Sequence, residues 1–345
     1  MTDQDNRAAI LYAPEDIRVE DVPVPRPGPD EVLVQVSAVG VCGSDTHYYR
    51  HGRIGSFVVE APLILGHETS GVIVGRGSDA TRHELGTRVA LEPGVPDRSC
   101  RYCREGRYNL CPDIRFFATP PVDGTFSRYQ VIHQDFAYPL PDSVSDEAGA
   151  LIEPLSVALW ATRRSRVGPG DHVLVTGAGP IGLLMVQAAL VRGATQVTIT
   201  DVDPARLTVA ADLGATTTLL AAQADLDGLD ADVLIECSGV PAVLAAAVDG
   251  VRAAGTIVAV GMGGDGDVTL PLAHIQEREL WLTGSFRYAN TYPEAIALVA
   301  AGRIELDRLV THRFGLEQVE QALMAVDETP EALKPMVLPA TGYVT

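Results

Sequence analysis

The chain has 345 residues, a length that accommodates about two domains at roughly 100–200 residues each. Lys and Arg total 26 against 45 Asp and Glu, and the formal net charge of −19 argues against a nucleic-acid partner, which would favour a basic surface. The longest apolar runs, such as residues 181–191, are too short to span a bilayer. The polar, acidic start of the chain lacks a secretory pattern, so we expect a cytoplasmic protein without a membrane partner.

Short strand-like segments dominate the first 150 residues or so. Residues 31–39 (EVLVQVSAV) alternate apolar and polar side chains, which is typical of a half-buried strand. Residues 71–74 and 88–91 are shorter runs of the same kind, and turn-forming residues separate them. We therefore expect a β-rich first domain whose loops carry the chemistry.

The pattern changes at about residue 151, where Ala-rich helical stretches begin to alternate with short aliphatic strands. The expected strands are residues 172–176, 196–200, 233–236 and 256–260. Strands separated by helices predict βαβ units and an α/β domain with a doubly wound parallel sheet. After residue 284 the alternation ends, with amphipathic helices expected at 292–301 and 316–326. We expect a first domain of residues 1–153 and 285–345, and a second of residues 154–284.

A glycine-rich loop follows the first of these strands. The segment 171–182 reads DHVLVTGAGPIG, which places the pattern G-x-G-x-x-G between a strand and a helix. In this position Gly177 permits a tight turn, Gly179 lets the backbone approach a pyrophosphate, and Gly182 lets helix and strand pack closely. Pro180 and Ile181 complete the loop at the helix N-terminus, where free N–H groups and the helix dipole favour an anion. The segment predicts a Rossmann-type dinucleotide site.

The end of the next strand indicates which dinucleotide binds. Asp201 lies nineteen residues after Gly182, where a carboxylate accepts hydrogen bonds from ribose hydroxyls and repels a 2′-phosphate. This favours NAD over NADP. Arg206 is a further candidate, either stacking on the adenine or weakening that preference.

Three other segments carry polar residues that a plain core would not need. Cys42 lies in VCGSDTH, His67 and Glu68 lie in GHETSG, and Glu153 lies in ALIEPL. A thiolate, an imidazole, a carboxylate and a water suit a four-coordinate zinc with one open position. Glu68 is open to three roles: direct ligand, ligand through water, or second-sphere partner. Spacing alone does not join these segments, because they are far apart in the chain.

These segments resemble the medium-chain zinc-dependent alcohol and polyol dehydrogenases. Gly66, His67, Glu68, Gly71 and Gly77 match the zinc signature G-H-E-x-x-G-x(5)-G of that family. Within the family the chain is most similar to sorbitol and xylitol dehydrogenases, on residues 47–55 (HYYRHGRIG), 117–126 (FATPPVDGTF), 152–156 (IEPLS) and 286–291 (FRYANT). The resemblance implies a GroES-like β-rich catalytic domain, a Rossmann coenzyme domain, and reversible NAD-linked oxidation of a polyol's secondary hydroxyl to a ketose.

The resemblance also assigns roles around a catalytic zinc, which would lower the pKa of the substrate hydroxyl. It implies that Cys42, His67 and Glu68 bind zinc directly or through water. Glu153 then takes the remaining place, as a ligand or as partner of the zinc-bound water. Ser44 and His47 are the candidate proton relay; alternatively, His47 only hydrogen-bonds its own loop.

A second cluster contains three of the five cysteines, a density that in a cytosolic chain suggests metal before disulfides. It reads Asp97-x-x-Cys100-x-x-Cys103-x(7)-Cys111. Many members of the family hold a structural zinc with four cysteines at this spacing, and here Asp97 replaces the first. A Cys₃Asp zinc site is chemically acceptable, and loss of the metal is the alternative. Cys237, in a strand-like run, is expected in the core.

The resemblance finally implies a substrate pocket and an assembly. The residues it places in the pocket are Tyr48, Phe116, Phe117, Arg287 and Tyr288. An Arg-Tyr pair at this point also has a purely structural explanation through local hydrogen bonds. The similar enzymes are usually homotetramers, and some are homodimers. The alternative functions are a related zinc dehydrogenase acting on threonine or a simple secondary alcohol, and a non-catalytic sugar- or NAD-binding protein of the same fold.

Overall fold

The computed structural model describes residues 6–262, 268–329 and 331–340. The chain divides into two compact units, Met1–Glu153 with Tyr292–Thr345, and Pro154–Thr291. None of the helices in the described residues combines the length and the apolarity needed to cross a membrane.

The first unit is built mainly from strands. In chain order these are β1 (Asn6–Ala13), β2 (Asp16–Val22), β3 (Glu31–Gly40), β4 (Arg53–Ile54), β5 (Phe57–Val58), β6 (Leu63–Ile64), β7 (Glu68–Arg76), β8 (Arg88–Leu91), β9 (Gly94–Val95), β10 (Arg115–Phe116), β11 (Tyr129–His133) and β12 (Ala137–Pro139). The helices among them are α1 (Gly43–His51), α2 (Arg101–Arg104) and α3 (Asp146–Ala150).

Strand β3 is the centre of the largest sheet in this unit. The sheet has the order β12-β8-β7-β3-β20-β19, in which β19 (Val310–Gly315) and β20 (Lys334–Leu338) come from the end of the chain, and β11 also pairs with β3. The alternation predicted for this strand is observed: Val32, Val34, Val36 and Ala38 are fully buried, because successive side chains of a strand point to opposite faces. Strand β7 runs antiparallel to β3, and this register places Glu68 opposite Gly40.

Helix α4 (Ile152–Ser165) starts with the last two residues of the first segment, Ile152 and Glu153, and its remainder belongs to the second unit. The other elements of the second unit are β13 (His172–Thr176), α5 (Pro180–Arg192), β14 (Gln196–Asp201), α6 (Pro204–Asp212), β15 (Thr217–Leu220), β16 (Ala231–Glu236), α7 (Pro241–Ala247), β17 (Val251–Ala259), α8 (Leu272–Glu277) and β18 (Trp281–Gly284). Its six strands are all parallel, in the order β15-β14-β13-β16-β17-β18. The order reverses at β13, which is the switch point where doubly wound sheets bind dinucleotides. The predicted α/β fold class is confirmed.

Two strands of this sheet were not predicted from the sequence. Both β15 and β18 are edge strands, and β18 is largely exposed. An edge strand has only one neighbour and needs no continuous apolar run, so its periodicity signal is weak.

The last part of the chain comprises α9 (Tyr292–Ala300), β19 (Val310–Gly315), α10 (Val319–Glu328) and β20 (Lys334–Leu338). Strand β20 pairs antiparallel with β3 and completes the sheet of the first unit. Residues 285–291, expected in the first domain, cluster with the second unit instead. The reason is local hydrogen bonding: the Ser285 N–H donates to the Ala259 carbonyl, and the Arg163 guanidinium donates to the Asn290 carbonyl.

Candidate active site and metal centres

Three of the predicted zinc ligands come together in the first unit. One ligand atom each from Cys42, His67 and Glu68 lies within 4.8 Å of the others, and we call these residues the first metal group. Cys42 follows β3 and caps α1, whereas His67 and Glu68 stand at the start of β7. The pairing of β3 with β7 therefore joins segments that the sequence could not join. Donor atoms around one tetrahedral zinc are roughly 3–4 Å apart, so the group can close on one ion with small adjustments.

Asp45 connects the two loops that carry the first metal group. Its fully buried carboxylate accepts hydrogen bonds from the backbone N–H groups of Cys42 and Gly66, both at 3.0 Å. One of its oxygens also lies 3.5 Å from Nδ1 of His67. A carboxylate on one ring nitrogen leaves the other nitrogen, Nε2, available to a metal. Sequence reasoning missed Asp45, although its position three residues after the cap residue Cys42 is the spacing of a capping box.

The surroundings of His67 favour positive charge. Burial alone lowers the pKa of His67, but the charge of Asp45 and the hydrogen bonds that Asp45 and Cys42 accept from the ring outweigh it, so the pKa is raised well above its ordinary value. An environment that stabilises an imidazolium also stabilises a cation bound at the ring. The donor set thus fits a zinc ion.

Glu68 forms a buried ion pair with Lys334, the first residue of β20. The side chains are 1% and 4% exposed, and Nζ of Lys334 lies 2.6 and 2.8 Å from the two carboxylate oxygens. The same ammonium donates to the carbonyl of Val41, at 3.0 Å. Burial alone lowers the pKa of Lys334, but the nearby negative charges, first Glu68 and then Cys42, raise it above its ordinary value. The positively charged ammonium of Lys334 therefore lies beside the first metal group.

The neighbouring strand makes room for the Glu68 carboxylate. A Cβ atom at Gly40 would lie 2.1 Å from Oε2 of Glu68, so only glycine fits opposite this side chain. Sequence reasoning missed Lys334. The one signal in the sequence was a lysine inside the otherwise apolar segment 332–338 (ALKPMVL).

Glu153 is not a member of the first metal group, but its charge shifts the pKa of Lys334, the ion-pair partner of Glu68. It is buried at the start of α4, and its charge raises the pKa of both Lys334 and Glu92. Glu92 is a second buried carboxyl that sequence reasoning missed. Burial raises the pKa of Glu92 to about 7, although it accepts hydrogen bonds from the hydroxyls of Tyr108 and Tyr138 at 2.6 and 2.9 Å.

The predicted relay residues lie on α1. Ser44 is half-buried in the first turn of this helix, two residues after Cys42. His47 is exposed: its Nδ1 lies 2.9 Å from the Arg53 carbonyl and its ring packs edge-on against His51 at 4.7 Å. This contact is the local hydrogen bond that the alternative interpretation of His47 expects, and its relay role stays a prediction.

The aromatic pocket candidates of the first unit differ in their surroundings. The ring of Phe116 lies 5.9 Å from the ring of His67, beside the first metal group. Phe117 packs in a separate apolar cluster with Val89 and Leu91. Tyr48 is buried in another cluster, built around β3 and α10. The structure thus brings Phe116 next to a metal-group residue.

The cysteine-rich segment forms a second metal group. Ligand atoms of Asp97, Cys100, Cys103 and Cys111 all lie within 4.8 Å of one another. Sγ of Cys103 is 3.1 Å from Oδ1 of Asp97 and 3.5 Å from Sγ of Cys100. Tetrahedral zinc with thiolate ligands places sulfur atoms about 3.8 Å apart, so this arrangement is close to the one that zinc requires.

The carboxylate of this second metal group is fixed by the backbone. Oδ1 of Asp97 accepts the N–H groups of Ser99 and Cys100, at 2.9 and 3.1 Å. These hydrogen bonds hold the pKa of Asp97 well below its usual range, so the group is an anion at neutral pH. Desolvation and the hydrogen bond with Asp97 raise the pKa of Cys103 to about 12 in the absence of a cation. Cys237, by contrast, belongs to neither metal group, and burial raises the pKa of its thiol.

The dinucleotide loop has the backbone that the motif predicts. Gly177 follows β13 with φ of +88°, a value that favours glycine, and Gly179 is the N-cap of α5. A Cβ at Gly182 would lie 1.8 Å from the carbonyl oxygen of Gly177, which explains why helix and turn require glycine there. Pro180 and Ile181 form the first turn of the helix. A Cβ at Gly179 would meet no atom within 4 Å, so the N-terminus of α5 is open at this residue.

Asp201 ends β14 beside this loop. Its Oδ2 accepts the Ala178 N–H at 2.5 Å and its Oδ1 accepts the Asp203 N–H at 2.9 Å. Nε of Arg206 lies 3.7 Å from the Asp203 carboxylate, on helix α6. The predicted ribose-binding carboxylate thus also holds the glycine turn.

Arg287 and Tyr288 follow β18 in the second unit. Arg287 has φ of +49°, and its guanidinium lies over the Phe286 ring at 4.9 Å. Tyr288 is buried. Their role in substrate binding stays a prediction.

Two family models match the chain. One described as "Alcohol dehydrogenase GroES-like domain" covers residues 28–142, and one described as "Zinc-binding dehydrogenase" covers residues 180–301. The chain belongs to the zinc-dependent medium-chain dehydrogenase family. The family resemblance inferred from the sequence is thereby confirmed, as is the pairing of a GroES-like with a Rossmann-type domain.

Within this family the chain is similar to several sorbitol dehydrogenases. It is 44% identical to a sorbitol dehydrogenase of Bacillus subtilis, over 97% of this chain and 98% of that protein. It is 46% identical to the sorbitol dehydrogenase of Gallus gallus, over 92% of both. Among solved structures, L-idonate 5-dehydrogenase of Escherichia coli superposes with a TM-score of 0.90 at 30% identity, over 97% of this chain and 99% of that one.

Proposed function

We propose that this chain is a zinc- and NAD-dependent polyol dehydrogenase that reversibly oxidises a secondary hydroxyl of a sugar alcohol of the sorbitol or xylitol type to the ketose. The observation that carries this conclusion is the first metal group, formed in a chain 43–46% identical to sorbitol dehydrogenases over more than nine-tenths of its length. When bound, zinc supplies Lewis acidity that lowers the pKa of a substrate hydroxyl. The net reaction transfers a hydride to NAD and releases one proton.

The residues around the first metal group have separate tasks in this proposal. Cys42 and His67 bind the metal, with Glu68 or Glu153 as the carboxylate ligand or as partner of a water. Asp45 orients His67 through the 3.5 Å contact with Nδ1. Ser44, two residues after Cys42 on α1, accepts the proton that leaves the substrate, and His47, which is exposed, passes it to solvent.

In the second unit the glycine loop and Asp201 hold the cofactor. Gly177, Gly179, Pro180, Ile181 and Gly182 bring the pyrophosphate to the N-terminus of α5. Asp201 accepts hydrogen bonds from ribose hydroxyls, and its negative charge disfavours a 2′-phosphate, which supports NAD as the cofactor. Arg206, on α6 and 3.7 Å from the Asp203 carboxylate, is proposed to contact the adenine side of the nucleotide.

The substrate pocket is proposed to contain Tyr48, Phe116, Phe117, Arg287 and Tyr288. Polar groups in such a pocket discriminate against alcohols that lack the matching hydroxyls, because the protein groups would be left without hydrogen-bond partners. The proximity of Phe116 to His67 supports its place in the set. The second metal group is proposed to bind a structural zinc through three thiolates and Asp97.

We propose further that the chain is a homo-oligomer, a tetramer or a dimer. Support comes from the edge strand β18, where Trp281 is 62% and Leu282 is 44% exposed. An exposed apolar edge strand is a surface that proteins usually cover. All five cysteines are free thiols, and metal-binding thiolates are typical of a reducing compartment, which supports a cytoplasmic location.

NADH formation with a panel of alcohols tests the proposal. Sorbitol, xylitol, ethanol and threonine are offered with NAD, before and after treatment with a zinc chelator. We expect turnover on a polyol that chelation abolishes and zinc restores. Chelator-insensitive turnover would contradict the role of zinc, and turnover on threonine or a simple alcohol alone would favour the related dehydrogenases. Absence of turnover on all four, with sugar or NADH binding retained, would favour a binding protein.

A further inference from the structure

Glu236 ends strand β16 as a buried carboxylate that accepts hydrogen bonds from its own loop. The side chain is 2% exposed. Its Oε1 accepts the N–H and the hydroxyl of Ser238, at 2.6 and 2.5 Å, and the N–H of Gly239 at 2.9 Å. These three donors fix residues 237–239 as a tight loop directly after the strand, and a fourth donor to the same oxygen, the Thr176 hydroxyl on β13, lies 3.4 Å away. Hydrogen bonds to a charged acceptor are stronger than neutral ones, so this loop is held firmly.

The loop that Glu236 holds lies against the glycine turn of the dinucleotide site. The Cys237 N–H donates to the carbonyl of Thr176, the last residue of β13, at 2.9 Å. A Cβ at Gly177 would lie 3.0 Å from the backbone of Ser238, so the two loops are in close contact. The position of the Ser238 backbone therefore limits where the Gly177 turn can lie.

Glu236 also makes hydrogen bonds to the residues that follow β17, the strand on the other side of β16 from β13. Its backbone carbonyl accepts the N–H groups of Val260 and Gly261, both at 2.9 Å, just after β17. A Cβ at Gly261 would lie 2.2 Å from the nitrogen of Gly239 and 2.9 Å from Oε2 of Glu236. One residue thus joins the carboxyl ends of β13, β16 and β17, which is the edge where such sheets bind dinucleotides.

The glycine turn is consequently held from both sides. Asp201, at the end of β14, accepts the Ala178 N–H, and Glu236, at the end of β16, holds the loop that contacts Gly177. Strand β13 lies between these two strands in the sheet. Asp201 has a proposed contact with the cofactor itself, whereas Glu236 is buried and its Oε1 accepts hydrogen bonds from protein groups.

We propose that Glu236 is a positioning residue for the nicotinamide dinucleotide, which sets the 237–239 loop against Gly177 and so fixes the glycine turn before the cofactor arrives. Binding to a site already in its final shape avoids the entropy cost of ordering a loop. The inference rests on the proposed cofactor site.

The test compares Glu236→Gln and Glu236→Ala with the control Asp232→Asn. Asp232 is on the same strand at its opposite end, where it accepts the His172 N–H at 2.8 Å and Nε of Arg252 at 2.6 Å. It therefore matches Glu236 as a hydrogen-bonded carboxylate but is remote from the carboxyl edge. The measurements are the Kd for NADH by fluorescence, the KM values for NAD and for the polyol, and the thermal midpoint.

We expect Glu236→Ala to weaken NADH binding about tenfold, the equivalent of losing one charged hydrogen bond, and Glu236→Gln to weaken it less. The KM for NAD rises in parallel, whereas the polyol KM at saturating NAD stays unchanged. Asp232→Asn lowers the thermal midpoint but leaves the NADH Kd unchanged. The isosteric Gln variant keeps the test decisive if the Ala variant does not fold.

Two results would overturn the inference: NADH affinity within twofold of wild type in the Gln and Ala variants, or an equal loss in Asp232→Asn. The second result would mean that losing any hydrogen bond in this strand weakens NADH binding only by destabilising the fold. Failure of the wild-type protein to bind NADH at all would instead refute the proposed function, and the two failures are distinct.

Discussion

The two metal groups of this chain are built in different ways. The first joins residues from two separate segments, because β7 pairs with β3, and it is surrounded by buried charges such as Lys334, which β20 brings in by pairing with β3 on the other side. The second comes from fifteen consecutive residues, and its carboxylate is exposed and held by backbone N–H groups. A group assembled by tertiary pairing can have its charge balanced by distant residues such as Lys334. A local group depends on the metal itself to hold its segment together.

Removing a ligand from the first metal group has the largest expected effect. Cys42→Ser should lower kcat/KM by roughly 1000-fold or more, because several kcal/mol of charge stabilisation by the metal are lost. Zinc content measured by atomic absorption should fall by one ion per chain, with the second group still loaded. Full zinc content together with lost activity would contradict this assignment of Cys42.

The charge balance of the first group is tested at Lys334. Lys334→Met leaves Glu68 buried without its cation, and we expect the metal-free protein to lose about 3–5 kcal/mol of unfolding free energy. The unpaired carboxylate should then bind zinc more strongly, so zinc release to a chelator should slow. The observables are denaturant unfolding and the rate of zinc transfer to a coloured chelator.

Two further variants serve as controls for this prediction. Lys334→Arg keeps the positive charge and should behave more like wild type. The double variant Glu68→Gln with Lys334→Met removes both charges and should recover part of the stability. Faster zinc release in Lys334→Met would contradict this prediction. It would show that Lys334 holds Glu68 in place for the metal, and that this positioning outweighs the repulsion between the ammonium and the zinc ion.

Breaking the second metal group should affect stability more than chemistry. Cys103→Ser should remove one zinc and lower the thermal midpoint by roughly 5–10 °C, since each 1 kcal/mol corresponds to about 2–4 °C in a unit of this size. The kcat of the folded variant should stay within a few-fold of wild type. Asp97→Cys, which restores a fourth thiolate, should slow loss of this zinc. An unchanged zinc content in Cys103→Ser would indicate that the second group binds no metal.

The smallest expected effect concerns Glu92, which links the neighbourhoods of the two groups. Tyr108, whose hydroxyl donates a hydrogen bond to Glu92, lies between Cys103 and Cys111 in the chain. Burial raises the pKa of Glu92, and the charge of Glu153 adds to this effect. The pKa of Glu92 rises from 4.5 to about 7 on folding, so the native state favours its protonated form. The stability it contributes is complete below pH 4.5 and is lost as the pH rises through about 7.

Glu92→Gln should remove this pH dependence. The thermal midpoint of wild type should fall relative to that of the variant as the pH increases from about 4.5 to 7. Thermal unfolding across this pH range measures it. Parallel curves for the two proteins would mean that Glu92 does not titrate there.

Features encoded in neighbouring residues were predictable. The strands β3, β8 and β13 and the glycine loop were expected where they occur, because alternation and the turn–helix pattern depend on local geometry. The second metal group was also predictable as a cluster, since its spacing is short. The edge strands β15 and β18 were missed, because one-sided pairing leaves little trace in composition.

The fold class, the dinucleotide loop and the family can be inferred from local periodicity and from motifs that need no distant partner. The surroundings of the first metal group, in contrast, arise only when the chain folds. Lys334 lies 266 positions from Glu68 and meets it only because β20 pairs with β3. Asp45 and Glu92 likewise acquire their roles through folding, which brings them to His67 and to Tyr138. Buried charges select partners by distance in space, and chain separation carries no information about that distance.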